Sequence, residues 1–171
     1  MIGRARAEYL LKRGHRKILR LNATVYASGD EGEEHEGFVS ALADAGVAYD
    51  PAWSVRPEDA FARIHGLLDE GGFTAAVVNG GEAKMRNVLQ VLDRHQEGRR
   101  IELLVDYIGG LLPGLIAEFP RLRVVAVNHY PDHELGVAAA QALLDRLQDG
   151  TPMTSMRIGS QIRRPDGTPI S

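Results

Sequence analysis

The chain has 171 residues, 44% of them apolar and 25% charged, with a formal net charge of −3 and no cysteine. That length and composition suit one globular domain with a core of its own, and the lack of thiols excludes a disulfide framework, a thiolate metal site and a cysteine nucleophile. The slight negative charge gives no ground for nucleic-acid or membrane binding by these residues themselves, and no apolar run is long enough to span a bilayer.

The first predicted element is a helix over residues 4–13, with Ala7, Leu10 and Leu11 at helical spacing and Gly14 as a stop. Basic residues run from Arg4 to Arg20, mixed with Glu8 and Tyr9, and read as a solvated face. No long apolar run follows them, so the start is not expected to be a secretory signal. Residues 17–22 alternate as a short strand, and 23–32 are polar enough for a loop. Residues 33–45 form the next helix, with Phe38, Ala41, Leu42 and Ala45 on one face and Gly46 at its end. A short strand is expected within 48–55, weakened by Pro51. A helix over 57–70 starts at a proline, buries Phe61, Ile64 and Leu68, and stops at Gly71-Gly72.

Residues 74–79 are a continuous apolar run ending in Asn79, the pattern of a parallel strand covered on both faces. A helix over 81–96 follows, facing Met85, Val88, Leu89 and Leu92 inward, and then a second buried strand over 101–106 that ends in Asp106. Residues 109–120 read as a loop with one helical turn, 123–128 as a strand, and 131–147 as a strong helix. Asp132 and Glu134 lie in that helix's first turn, where its dipole favours acids. A last strand is expected at 156–162 and a turn at Pro165-Asp166-Gly167. The alternation predicts an α/β fold, a three-layer sandwich around a mostly parallel sheet, with residues 74–79 and 101–106 side by side.

In such sheets ligands bind outside the carboxyl ends of the strands, here Asn22-Ala23-Thr24, Asn79-Gly80-Gly81 and Asp106-Tyr107. Asp106 follows Leu103-Leu104-Val105 directly; it is either a ligand group or a turn residue bonded to its own backbone. Asn79 holds the matching position on the neighbouring strand, and an amide beside a carboxylate suits hydroxyl groups. Asn79-Gly80-Gly81 is either an anion cradle at a helix start or a glycine turn. The five carboxylates of residues 30–36 read as a solvated helix start. His129 and His133 are separated by Pro131, so they read as two surface histidines, with no metal or cofactor expected. The chain has no G-x-S-x-G elbow, no G-x-x-x-x-G-K and no G-x-G-x-x-G after a strand, and no nucleophile–base pair is legible, so no enzyme is expected.

Taken together, these segments resemble LacI/GalR transcription regulators. The opening Gly3-x-x-x-Ala7-x-x-Leu10-x-x-x-Gly14-His15-Arg16-Lys17-Ile18 is similar to the segment entering that family's second subdomain. Glu36-Gly37-Phe38-x-x-Ala41-Leu42-x-x-Ala45-Gly46 resembles its next helix. Ala75–Asn79 resembles the strand that usually ends in Asn-Asp, and Leu103–Asp106 the strand ending at an effector-binding aspartate. Glu134-Leu135-Gly136-x-x-Ala139-x-x-x-Leu143-Leu144 is similar to the segment that crosses back to the first subdomain.

The resemblance implies a type I periplasmic-binding-protein-like fold, with residues 1–171 acting as one effector-binding domain, mainly the second subdomain, and 131–147 as the crossing helix. It implies a cytoplasmic sensor of a small, sugar-like molecule, a homodimer that reaches DNA only through an amino-terminal helix-turn-helix not visible here. A solute-binding protein of a transport system shares the fold and is the alternative. Three departures bear on the ligand. Glu34 stands where the family usually has an arginine that contacts ligand hydroxyls, Gly80 where it has aspartate after Asn79, and Tyr107 where a second aspartate often follows Asp106. A site of Asn79, Asp106 and Glu34 therefore points to a cationic or amine-bearing effector, or to a lost effector function.

Overall fold

The computed structural model describes residues 2–21, 30–56, 60–106, 109–130, 132–150, 152 and 159–170. Helix α1 (Ile2–Lys12) leads into strand β1 (Ile18–Leu21), then α2 (Asp30–Asp44), β2 (Ser54–Val55), α3 (Ala60–Glu70), β3 (Ala75–Val78), α4 (Glu82–Arg94), β4 (Glu102–Asp106), α5 (Leu112–Ala117), β5 (Arg123–His129), α6 (Asp132–Asp149) and β6 (Gln161–Arg163). The six strands form one sheet in the order β2-β1-β3-β4-β5-β6. All neighbouring pairs are parallel except β5–β6, which is antiparallel. The expected neighbours β3 and β4 pair in parallel, Ala75 opposite Glu102 and Val78 opposite Val105. The chain steps from β1 out to β2 and then returns to the other side of β1 with β3, so the winding reverses at the β1–β3 boundary.

The central strands β1, β3 and β4 are mostly apolar because both faces are covered, and their side chains alternate between two cores. On one face Ile18, Ala75, Val77, Leu104 and Ala126 pack under Ala7 and Leu10 of α1 and Phe38, Ala41 and Leu42 of α2. On the other, Leu19, Leu21, Ala76, Val78, Leu103 and Val105 meet Ile64 and Leu68 of α3, Met85, Val88, Leu89 and Leu92 of α4, and Leu112 and Leu115 of α5. This is the three-layer α/β arrangement read from the sequence. No helix among the described residues is long and apolar enough to cross a membrane.

Helices α1 and α2 approach closely because Gly3 has no side chain. A Cβ there would lie 1.8 Å from the carbonyl oxygen of Glu34. At the amino ends of the strands, the buried carboxylate of Glu102 ties the sheet to the end of α1. It accepts from Arg13 Nε (2.8 Å) and Arg123 Nη2 (2.9 Å) and contacts His15 Nε2 at 3.0 Å, while His15 Nδ1 lies 3.0 Å from Thr74 Oγ1. The Arg13 hydrogen bond, followed by that of His15, outweighs the opposing cost of burial and lowers Glu102 from an ordinary 4.5 to about 2.

Several boundaries differ from expectation. Helix α2 starts at Asp30, so residues 30–32 are helical rather than loop; residues 22–29 lie outside the described residues. Ala45 is exposed in the turn after α2 rather than on its buried face. Pro51 opens a short 3-10 turn whose Ala52 N–H is capped by Asp50 Oδ1 at 2.8 Å, leaving only two residues for β2. The starting proline of the third helix and the Phe61 side chain lie outside the described residues. The last strand is Gln161–Arg163; of the segment expected to form it, residues 156–158 lie outside the described residues. Helix α6 stands apart from the cores: Leu135, Val137, Leu143, Leu144 and Leu147 are between 45 and 73% exposed.

Two measurements check these contacts. Because the folded value of Glu102 lies below the unfolded one, the unfolded chain takes up the proton first, and stability declines as pH falls from 4.5 toward 2. Thermal unfolding of Glu102→Gln across that window is expected to show a flatter pH dependence than wild type and a lower melting temperature at neutral pH. Gly3→Ala is expected to push α1 off α2 at a cost of about 1–3 kcal/mol in a urea unfolding curve.

Candidate functional site

The carboxyl ends of β3, β4 and β5 bring a set of buried polar groups together beside the point where the winding reverses. Asn79 follows β3, Asp106 ends β4, Asn128 lies near the end of β5, and all three are buried. Glu34 enters from the first turns of α2, its side chain only 13% exposed. The three residues nominated from the sequence thus converge. Asn79 Nδ2 donates to both oxygens of Glu34 at 3.3 Å. Asp106 accepts from Asn128 Nδ2 at 3.2 Å and from the backbone N–H of Gly80 at 2.9 Å.

What joins them is a residue the sequence reading assigned to a solvated face. Arg6 of α1 is fully buried. Its Nη1 donates to Glu34 Oε1 and to Asn79 Oδ1, each at 2.8 Å, and its Nη2 donates to Asp106 Oδ1 and to the Tyr130 hydroxyl, the latter at 3.2 Å. A second buried cation, Arg20 of β1, donates to Glu34 Oε1 at 3.1 Å, contacts His35 Nδ1 and lies over the Phe38 ring. Two guanidinium groups therefore face two carboxylates, and the charges balance, as burial requires.

The local electrostatics follow from this balance. Burial alone would raise Glu34, but the pull of Arg6 and Arg20 and the Asn79 amide outweigh it and hold Glu34 below the usual carboxylate range. Burial likewise opposes the charge on Arg6, and Asp106 and Glu34 overcome it, so Arg6 is held protonated. Burial and the positive charge of Arg20 lower His35, which favours its neutral ring. Burial and the nearby Asp106 carboxylate raise the Tyr130 hydroxyl.

Gly80 has φ +103°, a conformation that favours glycine, and its N–H points at the chain's own Asp106 carboxylate. The glycine turn thus gives one N–H to an internal carboxylate, and Asp106 bonds the turn after the neighbouring strand. Glu34 departs from the solvated acidic helix start. Tyr107 and residues 22–24 lie outside the described residues. His129 ends β5 and His133 is exposed in the first turn of α6; among the described residues no group of three or more His, Cys, Asp or Glu could hold a metal ion.

Arg6 and Arg20 each carry a weak positional signal. Arg6 stands three residues after Gly3 and four before Leu10, on the buried stripe of α1, and Arg20 lies between Leu19 and Leu21 in a strand covered on both faces. A charge placed there has to find partners inside.

Comparison with known proteins gives a consistent setting. No family model matches the chain. It is 28% identical over 144 residues, 81% of its length, to the HTH-type transcriptional repressor PurR of Photorhabdus laumondii, and 29% identical over the same span to PurR of Yersinia pestis. The chain spans about two fifths of the length of these relatives, 40% of each. Among solved structures, the Escherichia coli transcriptional repressor AscG superposes with a TM-score of 0.73 at 19% identity, covering 98% of this chain and 61% of that one. The complex of the transcriptional regulator CelR with cellobiose gives 0.71 at 19% identity, covering 96% of this chain and 51% of that one. The Lac repressor bound to ONPG gives 0.69 at 17% identity, covering 95% and 49%. The resemblance to LacI/GalR regulators read from the sequence is borne out by these relatives, and the fold is that of their periplasmic-binding-protein-like region.

Removing the central cation should be costly. Arg6→Met leaves Asp106 without its cation and Glu34 with Arg20 alone, and is expected to destabilise the fold by about 3–5 kcal/mol. Adding Glu34→Gln to it should recover part of that loss, a non-additive coupling that a double-mutant cycle in urea reads directly.

Proposed function

We propose that this chain is the effector-sensing part of a transcription regulator of the LacI/GalR type, reading a small, sugar-like molecule at the carboxyl rim of its sheet. The observation that carries the reading is the convergence of Asn79, Asp106 and Glu34 in one buried network where strands from both sides of the winding reversal end. Ligands of open α/β sheets bind at such points. The repressor relatives support a regulator over a solute-binding protein of a transport system. The cellobiose in the CelR complex and the ONPG on the Lac repressor support a hydroxylated ligand.

In this reading residues 1–171 act as one effector-binding domain, and contact with DNA belongs to a separate helix-turn-helix. The site of action is the cytoplasm, where operator DNA is. The protein works as a homodimer, with α6 buried between the two copies. The exposed Leu135, Leu143, Leu144 and Leu147 on α6 support this, since an apolar stripe of that size calls for a cover. A dimeric form of the Lac repressor is among the solved structures of the same fold. A two-fold axis would let one patch serve both partners.

Calorimetric titration with a panel of neutral sugars, amino sugars and guanidino-bearing sugars tests the sensing role, with at least one compound expected to bind. For that compound Asp106→Ala is expected to weaken binding by about tenfold to a hundredfold, the loss of a charge-assisted bond. Identical curves for wild type and variant would remove Asp106 from the site. Sedimentation at micromolar concentration is expected to give a dimer that Leu143→Asp splits into folded monomers; a wild-type monomer would refute the dimer.

A further inference from the structure

The rim nominated for ligand binding already holds a ligand, and the chain supplies it. The Arg6 guanidinium is held by four acceptors from four different segments: Glu34 on α2, Asn79 after β3, Asp106 on β4 and Tyr130 after β5. A planar fork facing two carboxylates and an amide oxygen is how proteins bind a guanidinium from outside. The side chain is wholly buried, whereas Tyr130, on the outer side of the cluster, is 37% exposed.

We infer that this rim is a guanidinium-binding site that Arg6 occupies in place of a diffusible ligand, so that the group an effector presents here is a guanidinium or amidinium. The inference rests on the rim being the recognition site. Its physical basis is charge balance. Two buried cations match two buried carboxylates, Arg6 and Arg20 against Glu34 and Asp106. A neutral sugar that pushed Arg6 aside would leave a buried carboxylate uncompensated, and one that entered beside it would find Glu34, Asn79 and Asp106 already bonded to Arg6. A guanidinium or amidinium head on a hydroxylated scaffold, with further contacts to outcompete the tethered side chain, replaces Arg6 without changing the charge of the cluster. An ammonium replaces the charge but not the planar fork.

The test is to remove the internal ligand and offer an external one. Arg6→Ala and wild type are melted in a titration of methylguanidinium, with methylammonium as the cation lacking the fork and N-methylurea as the shape lacking the charge. Methylguanidinium at ten times its dissociation constant is expected to raise the melting temperature of Arg6→Ala by about 3–5 °C. It should leave wild type unchanged, and the two controls should give less than half the shift. No rise in a folded Arg6→Ala, or an equal rise in wild type, overturns the inference. If Arg6→Ala does not fold alone, it is refolded from urea in the presence of methylguanidinium, methylammonium or N-methylurea, with all four acceptors left in place. Methylguanidinium must then recover more folded protein than either control, and no such recovery overturns the inference. Failure here leaves the effector titration on wild type untouched. A rescued Arg6→Ala beside a wild type that binds nothing supports the internal ligand and sinks only the sensing role.

Discussion

A buried guanidinium has to be surrounded by acceptors, and in this protein the surroundings of Arg6 organise one whole rim of the sheet. The group gives up its hydration in exchange for bonds to α2, to the ends of β3 and β4, and to Tyr130. Each partner is then constrained in turn. Glu34 is ionised because two arginines face it, and Asp106 is oriented from its other side by the Gly80 N–H and the Asn128 amide. The close approach of α1 to α2 that carries Arg6 to this place depends on the missing side chain of Gly3. Backbone packing and electrostatics meet at the same two helices.

The two rims of the sheet are built alike and serve differently. At the amino ends one carboxylate, Glu102, gathers Arg13, His15 and Arg123, and both arginines are exposed. That cluster ties the end of α1 to the strands and lies away from the crevice where open α/β sheets bind ligands. At the carboxyl ends both arginines are buried and the acceptors outnumber any single donor. The first arrangement is a staple; the second is a buried, charge-balanced cluster at the rim proposed for recognition.

Helix α6 belongs to a different order of structure from the rest. The other long helices contribute side chains to the two cores, whereas the leucines of α6 face outward. Its sequence is amphipathic, so the pattern demands a partner surface that the sheet does not provide. In the proposed regulator that surface is a second copy of the chain.

The sequence by itself determined the architecture. The unbroken apolar runs before Asn79 and Asp106, with a helix between them, admit only parallel neighbours buried on both faces, and they stand side by side in the sheet. Strand-end position also singled out Asn79 and Asp106, and the family position singled out Glu34, because the carboxyl rim follows from topology alone. Arg6 and Arg20 carried a weaker signal, a charge at an inward position on a helix and on a strand, which local pattern cannot separate from a solvated one. Whether Arg6 faces water or Glu34 is decided by residues 28, 73 and 100 positions away in the chain. Only the packed structure brings those acceptors together, because a guanidinium can be buried only where opposite charges from distant segments arrive with it.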